Sequence, residues 1–280
     1  NDFSLLDRLG GEVAGAVELL PPGTPSSVVP SQQLPTRLDD TALLEVLNDL
    51  PRHPFLTGEE GLRLSLAGAQ PKLPVVLVDN AIALPAPRQP TTHILKPPIE
   101  RFHGTTENEA FVMRLARAAG LNVASVEPRT VSGRKFLLIE RYDRFSGADG
   151  HVHRIHQEDF CQALGRPPEK KYACDGGPTF ADCFNLLRTC STAPALDVIA
   201  LLDAAIFNVV VGNADAHGKN FSILYRGGSP RLAPLYDLLC TTYYRSLSKS
   251  FAMKLGKRET LGELDAKGWG HPGSEGACPR

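Results

Sequence analysis

From Gly212 to Asn220 the chain reads Gly-Asn-Ala-Asp-Ala-His-Gly-Lys-Asn, which gathers a carboxylate (Asp215), an imidazole (His217), an ammonium (Lys219) and two amides into nine positions. Asp215 and Asn220 lie five positions apart. A carboxylate accepts the proton of an attacking hydroxyl, and an amide oxygen suits a hard cation, so the pair has the parts for metal-assisted phosphoryl transfer. A further acid follows in Leu232-Ala233-Pro234-Leu235-Tyr236-Asp237-Leu238. A type II′ hairpin turn at Gly228-Ser229 would set Asn220 opposite Asp237 and bring two oxygen donors together. Pro234 removes a ladder donor, and a longer loop would shift that pairing. A plainer reading stands beside this one, because Asn and Asp also favour local turns that cap a preceding helix. The order Asp, Asn, Asp favours a metal–phosphate site. His217 either orients Asp215 or the metal shell, or packs beneath the loop.

Phosphoryl transfer also needs a cation for the nucleotide phosphates. Thr92-His93-Ile94-Leu95-Lys96-Pro97 puts Lys96 on an alternating strand, where it serves that purpose or acts as a solvated guard on an edge strand. Glu109 on the following helix is a partner for Lys96, and Thr106-x-x-Glu109 is equally a capping box that would use the same carboxylate locally; Glu107 is the alternative partner. Ser65-Leu66-Ala67-Gly68-Ala69-Gln70-Pro71-Lys72 offers small residues whose N–H groups suit phosphate, although one glycine is a weak phosphate-loop signal and a plain strand turn is the default.

The elements that must carry these groups are mixed. A short helix is expected near Phe3–Leu9, a strand near Val13–Leu20 and a loop over Pro21–Pro35. A helix follows over Asp39–Leu50, with Asp40 as N-cap and Pro51 as terminator. Strands are expected over Arg63–Leu66, Leu73–Val78, Ile82–Leu84, His93–Lys96, Val123–Val131 and Lys135–Ile139, with a helix Glu107–Ala119 closed by Gly120. After Asp143 helices dominate, at Gln157–Leu164, Phe180–Thr189 and Leu196–Val211, and the strand Phe221–Tyr225 follows the Asp215 segment. A β-rich lobe followed by a helical one predicts an α+β, bilobal, protein-kinase-like fold. Its segments are 1–142, 143–262 and a poorly ordered Gly/Pro-rich tail, 263–280.

A chain of 280 residues with 42% hydrophobic and 22% charged residues is long enough to bury a core. A net charge near −1 gives no bulk attraction for nucleic acid. The longest apolar run, Val198 to Gly212, falls short of the roughly 20 residues of a membrane span, and no secretory signal is visible at the start. The six cysteines show no C-x-x-C pair and no zinc-like spacing, so reduced, mostly buried thiols and a cytoplasmic setting are expected.

Taken together these segments resemble the HipA kinase family. Ser65 to Leu73 resembles its phosphate-binding loop, His93-Ile94-Leu95-Lys96 its ATP-contacting lysine strand, Glu107-Asn108-Glu109 the start of its helix, and Ile139-Glu140-Arg141-Tyr142-Asp143-Arg144 its hinge. His156 to Gln162, Lys171-Tyr172 and Asp175-Gly176-Gly177-Pro178 resemble its helical lobe, and Asn213 to Asn220 with Pro234-Leu235-Tyr236-Asp237 its catalytic segments. The resemblance implies a Mg-ATP-dependent protein serine/threonine kinase of a toxin–antitoxin pair. Members of the family arrest growth, the best-known by phosphorylating aminoacyl-tRNA synthetases. It implies Asp215 as catalytic base and Asn220 and Asp237 as magnesium ligands. ATP contacts would come from Ser65, Ala67, Gly68, Ala69, Gln70, Lys72, Lys96, His217 and Lys219, with hinge backbone from Glu140, Arg141 and Tyr142. Ser65 would be the residue that autophosphorylates and expels the loop, since phosphate adds about two negative charges there. The implied partners are a protein substrate and a small helix-turn-helix antitoxin through which DNA is reached indirectly. The resemblance runs from Phe3 to about Lys254. The family's N-terminal subdomain and C-terminal helices have no counterpart, so a fragment or a multi-component system is expected, with Ile199 and Phe207 left exposed. The competing classes are an aminoglycoside-phosphotransferase-like small-molecule kinase and a non-catalytic remnant.

Overall fold

The computed structural model describes residues 14–17, 23, 33–51, 70–86, 88–255, 258–260 and 263. The expected helix at Phe3–Leu9, the strand at Arg63–Leu66 and nearly all of the tail lie outside these residues. Residues 14–17, expected inside a strand, form a turn instead, because Gly15 takes a φ of 75°. Contacts group the chain into two compact units, residues 1–110 with 124–156, and residues 111–123 with 157–280.

The first unit is built on a six-stranded antiparallel sheet. Its strands are β1 (Thr36–Arg37), β2 (Leu73–Val78), β3 (Ala81–Leu84), β4 (His93–Lys96), β5 (Val126–Val131) and β6 (Arg134–Glu140), in the order β1-β3-β2-β4-β6-β5. Helix α1 (Asp40–Asp49) lays Leu43, Leu47 and the following Leu50 on one face of this sheet, against Leu73, Val75, Ile82, Leu95, Val131, Phe136 and Leu138. Each such side chain contributes about 1.5–3 kcal/mol on leaving water. Phe136 to Ile139 are all buried, so β6 is covered on both faces and lacks alternation. The N-cap of α1 is Asp39, whose carboxylate accepts from the Ala42 N–H at 2.8 Å, and not Asp40, which is already helical.

Helix α2 (Thr105–Ala118) ends as Gly120 requires. Gly120 has a φ of 86°, its N–H reaches Arg117 O at 3.0 Å, and the Leu121 N–H reaches Ala116 O at 3.0 Å. A hairpin of β7 (Arg144–Ser146) and β8 (Val152–Arg154) closes the first unit, anchored by Asp143. That carboxylate accepts from Arg141 at 3.0 and 2.8 Å, lies 3.0 Å from Arg144 and receives the Gly15 N–H at 2.8 Å. The first unit runs on to His156.

In the second unit β9 (His156–Asp159) pairs with β10 (Ser222–Arg226), which pairs with β11 (Ser229–Leu232). The helix expected over Gln157–Leu164 is therefore a strand followed by a one-turn helix, α3 (Phe160–Ala163), which a box of Asp159 and Gln162 caps. Helices α4 (Phe180–Cys190) and α5 (Pro194–Val210) pack together, and β12 (Ser250–Leu255) pairs with β13 (Arg258–Thr260). Phe221 stacks on Phe160 and meets Phe180 edge-on, joining β10 to α3 and α4. On α5, Leu196, Ile199, Leu202, Ile206 and Val210 are exposed along one face, whereas Phe207 is buried against expectation, on the opposite side with Leu201 and Ala204. No helix among the described residues is long and apolar enough to cross a membrane, and Cys161, Cys174, Cys183, Cys190 and Cys240 form no disulfide. The mixture of helices with antiparallel sheets is an α+β architecture.

Candidate active site

The loop after α5 is held by amides and one threonine. Asn208 interrupts the apolar run of α5, is buried, and donates to Ala204 O at 2.8 Å while accepting from Asn213 Nδ2 at 2.7 Å. Asn213 Oδ1 in turn accepts the Asp215 N–H at 3.1 Å. Thr241 Oγ1 accepts from the Ala214 N–H at 2.8 Å and donates to Gly212 O at 3.1 Å. Gly212 has a φ of 72°, and a Cβ there would stand 2.3 Å from Thr242 Oγ1, so this position excludes a side chain. Asn208, Asn213 and Thr241 were not singled out from the sequence for this work. The available signals were a polar residue inside an apolar helix, for Asn208, and the local turn that Asn and Asp favour, for Asn213.

This frame leaves Asp215 exposed, with Oδ1 accepting from Tyr172 OH at 3.0 Å. His217 is buried and packs edge-on against Tyr172 at 5.4 Å. Burial pushes its imidazole pKa below the usual value, against the opposing pull of Asp215. Lys219 Nζ is bound to Asp159 Oδ2 at 2.5 Å, so it fastens the loop to the start of α3.

Asn220 and Asp237 meet, through a bond from Asn220 Nδ2 to Asp237 Oδ2 of 3.0 Å. The pairing expected to cause this does not form. The hairpin turns at Gly227-Gly228, both with positive φ, and pairs Arg226 with Ser229 and Ile223 with Leu232. Continued, that register would put Leu235 opposite Asn220. The ladder instead stops before Pro234, Leu235 bridges to Val123, and Tyr236 OH ties back to Lys219 O at 2.7 Å. Asp237 then takes a φ of 58°, a conformation uncommon outside glycine, which turns its carboxylate to Asn220. Asn220 Oδ1 accepts the His217 N–H at 3.1 Å and retains a second lone pair. One carboxylate and one amide oxygen fit a hard divalent cation that completes its shell with water and phosphate oxygens. No group of three His, Cys, Asp or Glu side chains suited to a metal exists among the described residues.

In the first unit Lys96 lies on β4, an inner strand between β2 and β6, which removes the edge-strand reading. It is 5% exposed, and Nζ donates to both Glu109 oxygens at 2.8 Å. Thr106 is already helical and its buried hydroxyl makes no hydrogen bond among the described residues, so it does not cap the helix with Glu109, and Glu107 pairs with Lys135. Gln70 Nε2 donates to Pro97 O at 3.0 Å, anchoring the end of the Ser65 segment beside Lys96, and Lys72 is half-buried. Ser65, Ala67, Gly68 and Ala69 lie outside the described residues. At the expected hinge, the N–H groups of Glu140 and Arg141 bond Ser125 O and Thr92 O, each at 2.9 Å. The Arg141 guanidinium binds Asp143 and Thr91, so its N–H and side chain are both committed within the protein, and Tyr142 is half-buried.

The family described as HipA-like C-terminal domain matches residues 64–271. A protein of Sinorhizobium fredii named putative kinase Y4mE is 66% identical over 272 residues, covering 96% of this chain and 64% of that protein. The serine/threonine-protein kinase toxin HipA of Shewanella oneidensis is 32% identical over 268 residues, covering 91% of this chain and 60% of that protein. The chain thus spans about three-fifths of the length of these relatives. Among solved structures, the complex of Shewanella oneidensis HipA, HipB and operator DNA matches with a TM-score of 0.81 and 30% identity, over 96% of this chain and 64% of the matched chain.

Proposed function

The chain belongs to the HipA-like C-terminal domain family, and on that premise we propose that it is the ATP-binding and phosphoryl-transfer part of a HipA-type serine/threonine kinase toxin. The meeting of Asn220 and Asp237 at 3.0 Å, on a frame that presents Asp215 to solvent, is the observation that carries this reading. An acceptor hydroxyl oxygen attacks the γ-phosphorus, the bond to the β–γ bridging oxygen breaks, ADP leaves, and Asp215 accepts the hydroxyl proton. Asn220 and Asp237 would hold magnesium, which neutralises phosphate charge when bound. Lys96, kept in place by Glu109, contacts nucleotide phosphates. Gln70 and Lys72, with the Ser65 segment, line the same phosphates, and the Glu140–Tyr142 segment meets adenine. Lys219 acts through its bond to Asp159, as a brace for the loop.

By analogy with the Shewanella complex, the partner is a HipB-like antitoxin that carries the DNA contact. The acceptor is a cytoplasmic protein serine or threonine, an aminoacyl-tRNA synthetase among the candidates, and Ser65 is the site of autophosphorylation. Incubating the chain with γ-labelled ATP and dephosphorylated casein, for wild type and Asp215→Ala, tests this. Label on casein or on Ser65, lost in the variant, is expected. Label on an aminoglycoside alone would move the chain to the small-molecule kinases, and no Asp215-dependent label would leave a non-catalytic nucleotide or antitoxin binder.

A further inference from the structure

We infer that Tyr172 is the positioning residue of Asp215, presented to it by a strap formed from Lys170 to Pro178; this rests on the phosphoryl-transfer reading and adds a residue to it. Asp215 is exposed, and an exposed carboxylate samples several rotamers unless something holds it. Tyr172 OH occupies Oδ1 at 3.0 Å, while Asn213 Oδ1 fixes the Asp215 N–H at 3.1 Å. Among the described residues no donor reaches Oδ2. One oxygen is therefore anchored, and the other is turned out to accept a proton from an incoming hydroxyl.

The strap is stiff. The Asp175 and Gly177 N–H groups both bond Tyr172 O, at 3.0 and 2.9 Å, and Gly176 has a φ of 83°. A Cβ on Gly177 would lie 2.4 Å from Lys170 O and 2.6 Å from Tyr172 O, so the Gly-Gly pair is what lets the chain fold back so closely. The strap is also joined to the loop away from Asp215. The Gly218 N–H bonds Lys171 O at 3.2 Å, and a Cβ on Gly218 would stand 2.8 Å from Pro178 Cγ. The Tyr172 ring rests edge-on to His217, with Lys171 Nζ 4.9 Å from its centroid. Burial and the neighbouring Asp215 charge push the Tyr172 phenol pKa well up, so it remains a donor across the working pH range.

Tyr172→Phe keeps the ring contacts and removes only the hydroxyl. It is to be compared, in the full chain, with wild type, Asp215→Asn and the double variant, using γ-labelled ATP and dephosphorylated casein, with melting recorded for each. The expected result for Tyr172→Phe is a fall in kcat of about tenfold, a KM for ATP within about twofold and unchanged melting. In the Asp215→Asn background the same change should cost nothing further. Wild-type kcat in Tyr172→Phe, or an equal loss in the Asp215→Asn background, would overturn the inference while leaving the phosphoryl-transfer reading intact. A loss matched by lower melting marks a merely structural tyrosine and overturns it too. Wild-type transfer indifferent to Asp215→Asn sinks both together.

Discussion

The Lys96–Glu109 pair of the first unit and the Asp215 loop of the second solve opposite electrostatic problems. Lys96 and Glu109 are 5% and 4% exposed and are joined by two bonds of 2.8 Å, so each buried charge has an opposite charge beside it. Asp215 is exposed, and the buried groups that brace its backbone are neutral amides and a threonine: Asn208, Asn213 and Thr241. A buried ion pair fixes a side chain by making every alternative expensive; an amide lattice fixes a backbone and leaves the reactive group open. Single substitutions should therefore separate stability from activity in the second unit and lower both together in the first.

The largest effect on folding is expected where the charges are buried. Glu109→Ala takes the paired carboxylate from the buried Lys96 ammonium and should cost about 3–5 kcal/mol in denaturant unfolding. The double variant Lys96→Met/Glu109→Leu should recover most of that loss without recovering transfer. Should the double variant stay as unstable as the single one, the contrast between the units fails.

Asp237→Asn should act the other way round. Asn tolerates a φ of 58° as well as Asp does, so melting should hold, while the magnesium concentration for half-maximal transfer rises by about tenfold or more. Unchanged magnesium dependence would remove Asp237 from the metal.

Acid offers a smaller and graded test. Burial drives the Asp143 carboxyl pKa up, but Arg141, Arg144 and the Gly15 N–H outweigh it and hold the pKa below the usual range. A group depressed on folding contributes stability above its unfolded pKa, near 3.9, and loses it as pH falls through the folded value. Melting of the first unit should be level above about pH 5 and fall below about pH 4. Asp143→Asn should flatten that acid slope. The smallest change belongs to Lys219→Ala, which breaks a partly exposed pair with Asp159 and should cost about 1 kcal/mol or less. Its transfer rate should follow the bracing of the loop, with KM for ATP little changed.

How far the sequence could be read differs between the same two regions. Strands β2 and β4 and the Gly120 stop were legible because short runs of apolar and β-branched residues and a left-handed glycine are local signals. The Asp-to-Asn spacing of the loop was legible for the same reason. The Lys96–Glu109 pairing was open, since a capping box and a long-range ion pair write the same letters; burial on an inner strand decided it. The hairpin register was misread by one turn position, with Gly227-Gly228 in place of Gly228-Ser229. Asn220 and Asp237 nevertheless meet, through a strained Asp conformation that no pairing rule encodes. The strand half of Gln157–Leu164 was missed because β9 exists only through its partner β10, some sixty residues on.

Neutralising one exposed oxygen reaches most directly to the claim that Asp215, Asn220 and Asp237 form a phosphoryl-transfer centre. Asp215→Asn should cut transfer from γ-labelled ATP by about 10²–10⁴-fold while nucleotide affinity and melting stay at wild-type values. Transfer persisting at the wild-type rate in that variant would contradict it.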